Sequence, residues 1–134
     1  YLEEKGYTCV GSYEAHDSAD ETYAMTEQLL TANPDLKAIY CTAGGTYGAP
    51  KALEANDAVG QVYVIGHDET AENLEYVRKG ELDVIGQNPT GYAYDAFIYL
   101  YNKVVADQDP EEEVMASLSM IINQDNVDEL FPEN

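Results

Sequence analysis

Short apolar runs alternate with amphipathic stretches along most of the chain, and this alternation constrains the fold more than any other feature. "LKAIYCTA", "QVYVIG" and "LDVIGQN" are brief and rich in Val and Ile, as β-strands are. Between them, "GGTYGAPKALEAND" and "ETAENLEYVRKGE" carry apolar residues at helical spacing, the second closing on Gly80. Strand, helix and strand joined by short connections predict βαβ units and a parallel sheet. Right-handed crossovers would place helices on both faces, and strands of nearly continuous apolarity suit such double cover. The expected class is α/β: a doubly wound, mainly parallel sheet with helices on both faces.

The flanks extend the pattern. "YLEEKGY" reads as the last turn of a helix stopped at Gly6, an opening that suits a fragment. "YTCVGSY", Tyr7 to Tyr13, is expected to be a strand. "SADETYAMTEQLLTANP" is expected to be a helix capped by Ser18 with Glu21 three residues on, stopped at Asn33-Pro34. Tyr23, Met25, Leu29 and Leu30 would supply its apolar side. "TGYAYDAFIYLYNKVVADQ" predicts a long aromatic helix, and "MASLSMIINQDNV" a fifth strand and tail. In the aromatic helix Tyr92, Tyr94, Phe97, Tyr99, Leu100, Tyr101 and Val104 wrap beyond one face. It is either a two-sided core helix or one whose outer surface meets a second lobe. The whole, residues 1–134, reads as a single α/β ligand-binding lobe: 1–87 the lobe proper, 88–134 a crossing helix with a closing strand and tail.

Charge narrows the partners. With 26 acidic and 6 basic residues the chain carries a formal charge of −20, which repels phosphate backbones and anionic membranes. No run approaches the ~18 apolar residues that a membrane span requires. Cys9 and Cys41 each sit in an expected strand, show no metal or C-x-x-C spacing, and read as buried free thiols. Unpaired cysteines favour a reducing compartment, so the cytoplasm is the first expectation and an extracytoplasmic, lipid-anchored or periplasmic site the alternative.

Chemistry is expected where parallel strands end, because open α/β sheets bind ligands outside the carboxyl ends of their strands. Three turns meet there: "CTAGGTYG", "GHDET" and "GQNPTG". They offer Thr42 and Tyr47 around a glycine-rich turn, His67 beside Asp68, and the side-chain amide of Gln87. A carboxylate that accepts from hydroxyls, with amides that both donate and accept, suits an uncharged sugar or polyol. Enzyme readings fare worse. Gly44, Gly45 and Gly48 open a helix and could cradle a phosphate or nucleotide, yet they match neither G-x-G-x-x-G nor the P-loop pattern. His67-Asp68 and His16-Asp17 are sequence neighbours and make poor dyads. The two histidines lack metal-site spacing, and neither cofactor nor catalysis is expected.

Taken together, "NPDLKAIYCTAGGTYGAPKALEAND", "QVYVIGHDETAENLEYVRKGELDVIGQNP" and "GYAYDAFIYL" resemble the carboxyl-terminal half of type 1 periplasmic binding proteins, best over residues 33–105. The same superfamily supplies effector domains of LacI-type regulators. The resemblance implies two lobes hinged around a ligand, with this chain holding one lobe plus crossing elements. It implies that Asp68 accepts hydrogen bonds from sugar hydroxyls, that Gln87 is a ligand or cleft contact and that His67 lines the cleft. Thr42 and Ala43 replace a frequent Asn-Asp pair, a departure that bears on ligand type. "HDET" and "TAGGTYG" favour the LacI-like subgroup, so the first expectation is the sugar-effector domain of a transcription regulator that meets DNA only through a separate helix-turn-helix. The alternative is the sugar-binding protein of an ABC importer. The missing amino-terminal lobe is the expected structural partner, and a homodimer is open to such a chain.

Overall fold

In a computed structural model, residues 2–87, 89–109 and 119–133 are described. Four strands, β1 (Ala38–Tyr40), β2 (Tyr63–His67), β3 (Asp83–Gly86) and β4 (Met120–Ile122), form one sheet in that order. β1, β2 and β3 run parallel, and β4 joins β3 antiparallel with Ile122 opposite Val84. The helices are α1 (Ala19–Ala32), α2 (Gly48–Ala55), α3 (Ala71–Lys79), α4 (Pro89–Val105) and a short α5 (Val127–Leu130). The mainly parallel α/β lobe is the one the alternation implied. Of the stretch expected as the fifth strand, Met115 to Leu118 lie outside the described residues.

Helix boundaries follow local chemistry. The Ser18 hydroxyl accepts from the Glu21 N–H at 3.3 Å, as the cap pattern requires. Asn33 closes α1, its amide donating to the Leu29 carbonyl at 3.0 Å. Thr70 caps α3, and Gly80 ends it in the left-handed conformation. The α1 interior differs from expectation. Tyr23, Met25, Leu29 and Leu30 are only half-buried, while Thr22 and Thr26 are the buried residues. Each threonine hydroxyl donates to the carbonyl four residues back, at 2.9 and 2.8 Å, so neither is buried unpaired.

The core lies on one face of the sheet. Val64, Val84 and Ile122 meet Ala49 and Leu53 of α2, Leu74 and Val77 of α3, and Val127 of α5. α1 packs along α2. The opposite face carries Tyr40 and Tyr63, both more than half exposed. α4 is likewise open: Tyr94, Phe97, Leu100, Tyr101 and Val104 are all exposed, so it is not a two-sided core helix of this chain. Among the described residues no helix is long and apolar enough to cross a membrane.

Two expectations fail at the amino end. Tyr7–Tyr13 is irregular and exposed rather than a strand, because among the described residues no strand pairs with its backbone. Cys9 is consequently exposed, not buried. Cys41 does lie partly inside, one residue past β1, where burial pushes its thiol up to about 11. The turn at Glu3–Lys5 is a short 3-10 helix, and Gly6 stops it at φ 85°, as read from the sequence.

Candidate functional site

Register brings the candidate residues to one edge. Tyr40 opposes Ile65 and Ile85 opposes His67, so Tyr40, His67 and Gln87 follow the same side of the pleat on three neighbouring strands. The His67 ring bonds both neighbours: Nε2 lies 2.7 Å from the Tyr40 hydroxyl and Nδ1 lies 3.2 Å from Gln87 Nε2. The Tyr40 and His67 rings tilt at 42° with centroids 5.7 Å apart. Glu69 fixes the next strand end by accepting from the Gln87 backbone N–H at 3.0 Å. Gly86 permits this approach, since a Cβ there would stand 3.1 Å from Glu69 Oε1 and 2.7 Å from Ile122 Cδ1.

Asp68 follows His67 with φ 72°, a left-handed conformation that aspartate tolerates better than most residues. Its side chain is exposed at the strand end, while Thr70, not Asp68, caps α3. The turn is held from beneath by Asn73, 3% exposed, whose Nδ2 donates to the carbonyls of His67 and Asp68 at 2.9 Å each. Its Oδ1 is buried without a hydrogen-bond partner among the described residues.

Thr42 and Tyr47 lie on the β1–α2 connection at the same edge, Thr42 exposed and Tyr47 half-buried at the helix start. Neither bonds to the Tyr40–His67–Gln87 group among the described residues. The glycines of that connection serve packing. A Cβ on Gly48 would stand 2.1 Å from the Ala19 carbonyl oxygen, and one on Gly45 2.5 Å from the Ala19 nitrogen. Their turn also uses its donors internally: Gly44 N–H goes to Asp17 Oδ1 at 2.8 Å, Gly48 N–H to Gly45 O and Ala49 N–H to Thr46 O. A phosphate cradle needs such N–H groups free and outward, and those of Gly44, Gly48 and Ala49 are already taken. His16 and Asp17 part company as neighbours should: His16 bonds Glu21 at 2.8 Å and Asp17 holds Gly44. The hydrogen bond that protonated His16 donates to Glu21, then the charge of Glu21, raises the His16 pKa. Among the described residues no group of His, Cys, Asp and Glu could hold a metal ion.

Sequence reasoning missed Tyr40, Glu69 and Asn73. Tyr40 could have been found by alternation, since strand pairing in register sets it on the side of the sheet that His67 occupies. Asn73, three residues past the Thr70 cap, looks like any polar residue of a first helical turn.

The chain matches the family model described as "Periplasmic binding protein domain" over residues 1–108. It is 32% identical, over 90 residues and 63% of its length, to the ABC transporter periplasmic-binding protein YphF of Escherichia coli K12, of which it spans 28%. GanP, a glucose-galactose binding protein from Geobacillus stearothermophilus, superposes with a TM-score of 0.81 at 25% identity, covering 98% of this chain and 45% of GanP. A solute-binding protein from Agrobacterium vitis with bound D-fucose shares the fold at a TM-score of 0.75 and 22% identity, covering 89% of this chain and 41% of that protein. The chain thus spans less than half the length of these relatives. Matched over most of its residues, and folded as one lobe of that architecture, the chain belongs to the periplasmic binding protein domain family, with a type 1 lobe.

Proposed function

We propose that this chain is the sugar-binding lobe of a substrate-binding protein that serves an ABC importer, working outside the cytoplasm and without catalysis. The observation that carries the reading is the composition of the carboxyl edge. A left-handed, exposed Asp68 stands beside an aromatic and amide wall of Tyr40, His67 and Gln87, hydrogen-bonding groups with one carboxylate. That set matches hydroxyls and holds no lysine or arginine to pair with a phosphate or carboxylate ligand. The likeness to YphF, an ABC transporter periplasmic-binding protein, and to GanP, a glucose-galactose binding protein, favours an importer's binding protein over the LacI-type regulator, and an extracytoplasmic place over a cytoplasmic one.

In this reading Asp68, Gln87 and His67 face the ligand, with Thr42 and Tyr47 closing the wall from the β1–α2 turn. Residues 1–87 are the lobe proper, and the exposed apolar surface of α4 meets the second lobe. The test is calorimetric titration of the full-length protein with D-glucose, D-galactose and pentoses, repeated with Asp68→Ala. A hydrogen bond to a charged group contributes ~1.5–3 kcal/mol, so affinity should fall roughly 10- to 100-fold. No heat with any sugar, or unchanged affinity in the variant, refutes the reading. The full-length protein's first segment separates the two biological settings: a secretory signal agrees with import, a helix-turn-helix with regulation.

A further inference from the structure

We infer that His67 is a positioning residue that sets the hydrogen-bond polarity of the wall, so that Gln87 presents its carbonyl oxygen and Tyr40 its hydroxyl proton. The inference rests on the sugar-binding reading only for what that wall would meet. Protons along the hydrogen-bonded row Tyr40–His67–Gln87 can be placed one by one. An amide NH2 has donors alone, so Gln87 Nε2 at 3.2 Å makes His67 Nδ1 the acceptor. A neutral imidazole then carries its proton on Nε2, and that proton goes to the Tyr40 oxygen 2.7 Å away. Tyr40 has accepted, so its own O–H remains to donate elsewhere. Gln87 has spent an N–H on the ring, so Oε1 remains to accept.

The row is anchored at two of its three residues, Gln87 and His67. The Gln87 backbone N–H is held by Glu69 Oε1 at 3.0 Å, which fixes the main chain that carries its side chain. The His67 carbonyl is held by Asn73 at 2.9 Å, which fixes the residue that carries the ring. Tyr40, 57% exposed, and Gln87, also exposed, have their remaining groups open to a ligand. One donor and one acceptor flanking an imidazole suit a neutral vicinal diol, in which one hydroxyl accepts while its neighbour donates. A group with acceptors only, such as a ketone or carboxylate, would leave Gln87 Oε1 facing another lone pair.

The tautomer is directly observable. Long-range proton–nitrogen spectra of the full-length protein, labelled at histidine and with the His67 signals assigned by their loss in His67→Gln, are recorded without ligand at about pH 8.5, above the range in which an imidazole takes a second proton. The expected spectrum shows Nδ1 as a fully unprotonated acceptor and Nε2 as protonated. Gln87→Glu replaces the donor with an acceptor and should move the proton to Nδ1, an inversion that a purely structural histidine would not undergo. Tyr40→Phe should leave Nδ1 unprotonated while speeding exchange of the Nε2 proton with water. Averaged shifts equal to those of an unfolded histidine peptide, a proton on Nδ1 in the parent chain, or no response to Gln87→Glu would each overturn the inference. These spectra contain no sugar, so their failure leaves the sugar-binding reading standing. Failure of the sugar titrations alongside the expected spectra would remove that reading and keep the row.

Discussion

Removing the amide of Asn73 tests how the Asp68 turn is held. Asn73 donates two hydrogen bonds, 2.9 Å each, to the carbonyls of His67 and Asp68, and is 3% exposed. Asn73→Ala forfeits both, at a net ~1 kcal/mol each. Losing the partnerless Oδ1 offsets part of that, while the space left beneath the turn adds to it, so about 2 kcal/mol is expected. For a chain of this size that corresponds to a fall in melting temperature of roughly 6–10 °C. Asn73→Asp is nearly the same shape but aims carboxylate oxygens at two carbonyl oxygens, so it should cost at least about 2 kcal/mol more at neutral pH. Lowering the pH should narrow the gap between the variants, because a protonated carboxyl regains one donor. Urea unfolding followed by circular dichroism gives each value. If the alanine variant stays within about 0.5 kcal/mol of the parent, or the aspartate variant equals it at neutral pH, the amide does not hold the turn.

Other perturbations probe separate parts of the lobe. Gly48→Ala drives a methyl to 2.1 Å from the Ala19 carbonyl oxygen, backbone that cannot swing aside, so α1 must lift from α2. A loss of about 3 kcal/mol or failure to fold is expected, and an unchanged thermal midpoint would contradict the packing role. Iodoacetamide at about pH 8 should alkylate exposed Cys9 well before Cys41, whose buried thiol titrates near 11, as peptide mass spectrometry would read. Glu54 has its pKa lowered, first by the hydrogen bond from Lys79. A depressed carboxyl pKa stabilises above the ordinary carboxylate range and loses that contribution as pH falls through the folded value. Lys79→Met should therefore flatten the acid limb of the stability profile, and an unaltered acid limb would count against the pair.

The order of elements was legible because strand and helix periods alternate cleanly between Leu36 and Gly86. The caps were legible too, since Ser18 and Glu21 form a local pair that needs no tertiary information. The failures share one cause. Tyr7–Tyr13 has the composition of a strand, but a strand needs a neighbour, and pairing is not a local property. Thr22 and Thr26 were overlooked as interior residues because their polarity hid a hydroxyl satisfied within the helix. At the site, His67, Asp68 and Gln87 stood out as polar residues at strand ends. Tyr40 and Asn73 did not, since one gains its meaning from sheet register and the other from bonds to carbonyls.

The return of β4 and α5 has a consequence for biogenesis. Ile122 and Val127, both fully buried, share a core with Val64, Leu82 and Val84, yet α4 and the chain beyond it must be synthesised before they arrive. Until residues 120–131 clear the ribosome, β3 remains an uncovered edge and its apolar face stays wet. Arg78 then latches the late segment, donating to the Phe131 carbonyl at 2.7 Å and pairing with Asp128 at 3.0 Å. Nascent chains of this lobe are therefore unable to close this core until residues 120–131 have emerged.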